Sequence, residues 1–355
     1  MQNSGERLTY PYIARGIAML CIVIGHLGRM SIARVVFPFH VPVFYLLSGF
    51  FLSASQSPGV FIRRKARTLL VPYVVTCAAI IALSAVINEG LLGGEDTLGV
   101  MRRWAFASLL GSGGDLYNGP FFMPGIGALW FLLATFWGLI LLRLLLNVRP
   151  AVRIAAVIGI FALSVWSERR FFQLPLSIQP GGCALLYMYI GWLARQGKDR
   201  FAALPRELRA FIAVCAVLIW IAFSVRFESF WLVHCDIGRG IIDVFGSLCA
   251  SYAVILFSQW LDRHTHALRG ALSYLGQYSL VMLCAHIIEL DVFPWYLMTD
   301  PLLAGGMSDT ACLLILIAAK FIWIIPVTLL LSRWNPARRV FGYPPLQRGK
   351  ATAQS

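Results

Sequence analysis

Stretches of about twenty apolar residues recur along nearly the whole of this chain. A bilayer offers no water to backbone amides, so a spanning segment must bond its own N–H and C=O groups. A helix of about twenty residues does so and covers a hydrocarbon core of roughly 30 Å. Ten spans are expected, with approximate limits 12–31, 35–54, 69–88, 127–147, 151–167, 177–196, 208–225, 237–259, 273–293 and 311–332. Composition agrees: 13% of residues are charged and 59% hydrophobic, against about 25% charged in a soluble domain. The predicted fold is all-α, a polytopic integral membrane protein. The longest stretch between spans is 89–126. Residues 1–340 therefore read as one membrane domain and 341–355 as a cytoplasmic tail, with no separate soluble domain expected. Ser31-Ile32-Ala33 resembles a signal-peptide cleavage site. Arg15 and His26 interrupt the apolar core such a signal needs, so the first span reads as retained.

The net charge of +14 is distributed by loop. With the N-terminus inside, the inner loops collect Arg7 and Arg15, then Arg63, Arg64, Lys65 and Arg67, then Arg143, Arg149 and Arg153. Arg195 to Arg209, Arg263 and Arg269, and Arg333 to Lys350 continue the series. The outer side holds only Arg29, Arg34, Arg102, Arg103, Arg169, Arg170, Arg226 and Arg239, and Lys320 lies within the last span. This is the positive-inside pattern, and it predicts both termini in the cytoplasm. The basic excess reads as topology and contact with anionic lipid, not as a nucleic-acid surface.

Within the first span, Arg15 and His26 stand eleven residues apart, three helical turns to within about 20°, on one face and roughly 16 Å apart. Ionisable groups at such depth are expensive and mark a functional site by default. Two plainer readings stay open: Arg15 snorkelling to the headgroups, and His26 bonding a neighbouring helix. Seven of the eight cysteines fall within spans, and Cys235 sits in an outer loop without an obvious partner. No Cys/His spacing suits a metal, so no metal site is expected, and packing is the better account of the cysteines.

A second polar cluster follows in Phe39 to Phe51, an aromatic helix with His40, Pro42, Ser48 and Gly49. His40 lies near the outer surface, where it could approach His26; Ser48 and Gly49 could equally serve close packing. Arg63, Arg64, Lys65 and Arg67 then form a dense cationic loop before Pro72. Topological anchoring explains part of it, and four cations in five positions also suit a polyanion such as nucleotide phosphates. Further along, His286 and Glu289 are i, i+3 neighbours on one helical face, either an oriented pair or a plain hydrogen bond within the bundle. Arg239 and Asp243 read as a structural i, i+4 ion pair. Trp130 could stack on a sugar ring or anchor the interface. The glycine-rich stretch of Gly111, Gly113, Gly114, Pro120 and Gly125, with Tyr117 and Asn118, reads as a lid over an acceptor or as disorder.

These residues resemble the membrane-bound acyltransferase-3 family, which O-acylates sugars of bacterial envelope polysaccharides and related glycans. The matching pieces are Arg15-x10-His26, Phe44-Tyr-Leu-Leu-Ser48-Gly49-Phe50, and Arg64-x-x-Arg67 with Pro72. Trp130-Phe-Leu and Leu283-Cys-Ala-His286 match looser, later motifs. The resemblance implies residence in the bacterial cytoplasmic (inner) membrane. It also implies an acyl-CoA donor, usually acetyl-CoA, from the cytoplasm and a glycan or lipid-linked oligosaccharide acceptor at the outer side, with no permanently bound cofactor. On that reading Arg15, Arg63, Arg64, Lys65 and Arg67 hold coenzyme A. His26, with Arg15, carries catalysis as general base or acyl acceptor, and His40, Ser48, Trp130, His286 and Glu289 complete the acceptor pocket. The esterase-like extension common in the family has no counterpart in this sequence, so the membrane domain is expected to complete transfer or pass the acyl group to a partner. The competing class is a transporter of an acyl group or small anion. Such proteins commonly show repeated halves with matching broken helices, and no such repeat is visible.

Overall fold

The first apolar stretch folds as α1 (Tyr10–Gly25), with Pro11 in its first turn, and stops well short of the expected residue 31. In the computed structural model, which describes residues 8–118 and 121–346 and only the backbone of Tyr117, Asn118 and Phe121, the cause is local. Val36 and Phe37 pack against Gly25, and Gly28 takes a φ of +69°, a left-handed conformation that glycine adopts at little cost. His26 therefore caps the helix instead of continuing it. Sixteen residues rise about 24 Å, less than a hydrocarbon core, so His26 stands at a helix end and not inside a continuous span. The chain then turns through α2 (Met30–Val36) into α3 (His40–Phe50).

A second expectation is also corrected. The Arg63–Arg67 cluster is helical, not a loop: α4 (Pro58–Lys65) runs through a π-helical segment, Ala66–Leu70, into α5 (Val71–Leu91). Residues 89–126 likewise contain α6 (Thr97–Leu110) and a short antiparallel hairpin of β1 (Leu116–Asn118) and β2 (Phe121–Met123). The long helices that follow are α7 (Trp130–Leu145), α8 (Pro150–Arg170), α9 (Ile178–Ala202), α10 (Arg206–Val225) and α11 (Ile241–His264). α12 (His266–Gln277) and α13 (Ser279–Val292) meet at a 72° bend. α14 (Tyr296–Ala304), α15 (Asp309–Arg333) and α16 (Asn335–Val340) complete the described chain.

A helix occupies each of the ten expected positions, but among the described residues seven helices are long and apolar enough to cross a membrane alone, or eight counting the bent α12–α13 pair. α1 is too short, and the apolar middle of α9 is bounded by Gln179-Pro180-Gly181-Gly182 and Arg195. The protein is an all-α polytopic membrane protein.

Small residues bring the central helices together. A side chain at Gly49 on α3 would run into the Met188 carbonyl of α9, and one at Gly191 on α9 into the Leu46 carbonyl. Such close backbone approach is how helices associate in lipid, where apolar burial gives no drive. α7 and α9 pack on each other at the centre, whereas α8, α10 and α15 turn apolar side chains outward, with Ile322 74% exposed. An outward apolar face on a peripheral helix suits acyl chains, and polar groups gather instead between α1, α3, α13 and α15.

Candidate active site

A cavity of about 340 Å³ opens where α1 ends. The break after Gly25 builds one wall, the start of α3 another, and the Gly113–Gly114 turn, Gly127–Phe131 and Phe230–His234 close the rest. Five glycines line these walls, and Phe37, Trp130, Phe131, Phe230 and Trp231 supply aromatic faces. Its ionisable groups are all imidazoles: His26, His40 and His234. Two other depressions, by Phe293–Met298 and Leu330–Trp334, are apolar surface hollows.

Bonding partners fix the ring states. His26 Nδ1 lies 2.7 Å from the Ile22 carbonyl and His40 Nδ1 lies 2.9 Å from that of Val36. A carbonyl only accepts, so Nδ1 carries the proton in both neutral rings, and Nε2 keeps its lone pair. Behind His26, His286 Nε2 stands 3.5 Å from His26 Nδ1, with the rings edge to face. His286 Nδ1 donates to Glu289 Oε1 at 2.7 Å. Glu289 Oε2 accepts from Lys320 Nζ at 2.8 Å and from Trp295 Nε1 at 2.6 Å. His286, Glu289 and Lys320 are buried almost completely. A carboxylate in such surroundings persists only when its charge and lone pairs are satisfied, and here three donors satisfy it. His286 and Glu289 meet because three residues on a helix bring side chains to one face. Lys320 reaches them because α15 packs along α13.

At the opposite end, Arg63, Arg64 and Arg67 are exposed and make no ion pair among the described residues. Arg64 and Lys65 lie over the buried Phe61 ring, which fixes the helix while leaving the charges free. Arg15 is half-buried with its Nε unpartnered, within Coulombic reach of Lys65 and Tyr343. Tyr343 donates its hydroxyl to the Gln277 carbonyl at 3.0 Å and so holds the segment after α16 against the α12–α13 bend.

The structure thus gathers His26, His40 and Trp130 at one cavity and sets His286 and Glu289 behind its wall. It leaves Arg15, Arg63, Arg64, Lys65 and Arg67 at the other end: no cavity residue on α1 lies deeper than Ile22. Ser48 stands apart from the cavity, at the α3 seam where Gly49 seats against α9. Of the glycine-rich stretch, Gly113 and Gly114 line the cavity, whereas Pro120, like Arg7, Arg348 and Lys350, lies outside the described residues. Arg239 and Asp243 form the ion pair, at 2.6 Å. Cys235, expected as an unpartnered loop thiol, is fully buried against Cys183 of α9.

Sequence reasoning missed three participants. Lys320 carried a signal, since a lone cation in an apolar span calls for a partner. Trp295 carried none beyond an interfacial position. His234, whose Nδ1 lies 4.0 Å from Glu168, sits in a loop that no periodicity marks.

Comparison with curated proteins and with solved structures finds no match. The family model described as an acyltransferase domain matches residues 9–333, from the start of α1 to the end of α15. The match covers both the basic helix and the histidine cavity, and the chain accordingly belongs to the acyltransferase-3 family of membrane proteins.

Proposed function

We propose that this acyltransferase moves an acyl group, most simply acetyl, from cytoplasmic acyl-CoA to a hydroxyl of an envelope or exported glycan, in the bacterial inner membrane. The observation that carries the reading is His26. His26 lines an aromatic- and glycine-rich cavity, and its Nδ1 is held by the Ile22 carbonyl and backed by His286 and Glu289, which leaves the Nε2 lone pair for a substrate. In this reading the basic end faces the cytoplasm, in keeping with the positive-inside pattern. The exposed cations of α4 and the adjoining π-helical segment, with Arg15, take the phosphates of coenzyme A, as guanidinium groups commonly do.

The acceptor hydroxyl gives its proton to His26 Nε2 as its oxygen attacks the thioester carbonyl. The new C–O bond forms, the C–S bond breaks, and the imidazolium returns the proton to the departing thiolate, releasing coenzyme A as the thiol. Base catalysis of this kind contributes about 10²–10⁴-fold. Trp130 and Trp231 offer flat apolar faces to a pyranose ring, and His40 Nε2 offers a hydrogen-bond acceptor. The acyl arm must travel from the basic end to the cavity, so the donor is expected to pass beside α1. The same lone pair would serve an acyl-imidazole route; recovery of labelled acyl group on the protein before acceptor is added distinguishes the two. The reading is tested by mass spectrometry of envelope glycans from cells with and without the protein. An unchanged O-acyl content sinks it.

A further inference from the structure

We propose that Lys320 is a positioning residue for His26: its ammonium keeps Glu289 a carboxylate and His286 a neutral ring, so that His286 offers His26 a lone pair and not a proton. The inference rests on the reading of His26 as the base. Lys320 Nζ lies 2.8 Å from Glu289 Oε2, and Trp295 Nε1 reaches the same oxygen at 2.6 Å. Lys320 also lies 5.2 Å from the centre of the Trp295 ring, a cation–π contact that strengthens away from water. With Oε2 taken, Oε1 is left to accept the Nδ1 proton of His286. His286 Nε2 then carries a lone pair, 3.5 Å from the protonated Nδ1 of His26.

Removal of the ammonium reverses this order. A carboxylate buried without a cation draws in a proton, and His286, already bonded to it, is the group that can keep that proton as an imidazolium. Nε2 of His286 then becomes a donor and a positive charge facing a nitrogen that already carries hydrogen. His26 then surrenders its bond to Ile22: its Nδ1 accepts from His286, and its Nε2 takes the hydrogen. That removes the base. The ionisable groups around this core are His26 of α1, His40 of α3, Cys77 of α5, Arg103 of α6, His286, Glu289 and Asp291 of α13 and Lys320 of α15. Among them only Lys320 donates a charged hydrogen bond to Glu289.

The test uses the full chain in native membranes and reads both acyl transfer and the state of His26. Diethyl pyrocarbonate acylates only an unprotonated imidazole nitrogen, and peptide mass spectrometry resolves His26 from His40 and His234 in the same cavity. In Lys320→Met, labelling of His26 at pH 7 is expected to fall at least tenfold and to recover as pH rises, with His40 and His234 unchanged. The acid limb of acyl transfer should move upward by about one pH unit or more, one unit corresponding to tenfold on the limb. Lys320→Arg keeps the cation and should behave as the native chain. Glu289→Gln with Lys320→Met leaves no charge to satisfy and should restore His26 labelling. Native pH dependence of His26 labelling in Lys320→Met overturns the proposal. So does an equal, pH-independent loss at all three histidines, which would make Lys320 a structural residue alone. Transfer that survives His26→Ala would instead sink the catalytic reading and leave the labelling result standing.

Discussion

His26 and His286 are 260 residues apart in the chain, yet their Nδ1 and Nε2 atoms face each other at 3.5 Å. His26 meets the cavity, and His286 ties it to a carboxylate on α13. The pair makes the end of α1 a place where one imidazole nitrogen is held and the other left free.

That arrangement predicts the effect of removing the ring. His26→Ala should lower O-acylation by about 10²–10⁴-fold, the range for a positioned base, while the protein inserts and accumulates normally. O-acyl content of extracted glycan, normalised to protein in the membrane fraction, measures it; normal acylation in the variant shows that another group is the base.

The exposed arginines of α4 and the π-helical segment predict a separable effect on the donor. Charge reversal at Arg64 and Arg67 should weaken coenzyme A binding at least tenfold and reduce its dependence on salt, because surface charges act through a screened field. Calorimetric titration of the purified protein with coenzyme A reads this. Unaltered affinity would reduce the helix to a topology anchor.

Close packing of α3 on α9 predicts where stability is most sensitive. Gly49→Leu drives a side chain into the Met188 backbone, and overpacking of this kind costs about 1–3 kcal/mol or more. Gly59→Ala meets nothing within 4 Å and serves as the matched control. Thermal unfolding in detergent should separate the two; equal midpoints would mean that the α3–α9 seam yields.

The cavity-mouth histidine predicts a pH effect on stability. Burial holds the His234 imidazole below its ordinary value of 6.5, with Asp236 opposing. The folded ring therefore binds a proton less readily than the unfolded one. Well above pH 6.5 both states are neutral and the group adds no pH dependence; as pH falls through 6.5 the unfolded state protonates first, so stability falls. His234→Gln should flatten the decline in melting temperature between pH 7.5 and 5. An identical slope in the variant would assign the decline to other groups.

The ten helical positions, the all-α class and the motif residues were legible in the sequence, because a lipid-facing or span-forming segment announces itself by local apolar composition. His286 and Glu289 were legible as a pair for the same reason: helical spacing is a local rule. The end of α1 was not. It lies where Val36 and Phe37, at the end of α2, pack against Gly25.

Sequence alone determined that this chain is a membrane-embedded helical protein carrying an arginine and a histidine on one face of its first apolar stretch, since both facts follow from composition and residue order. Tertiary structure alone decided that Lys320 lies against Glu289, that His40 and His234 share a cavity with His26, and that Ser48 does not. The reason is physical. A buried charge must find its partner wherever the fold supplies one, and here that partner lies 31 residues away on another helix, beyond the reach of any local pattern.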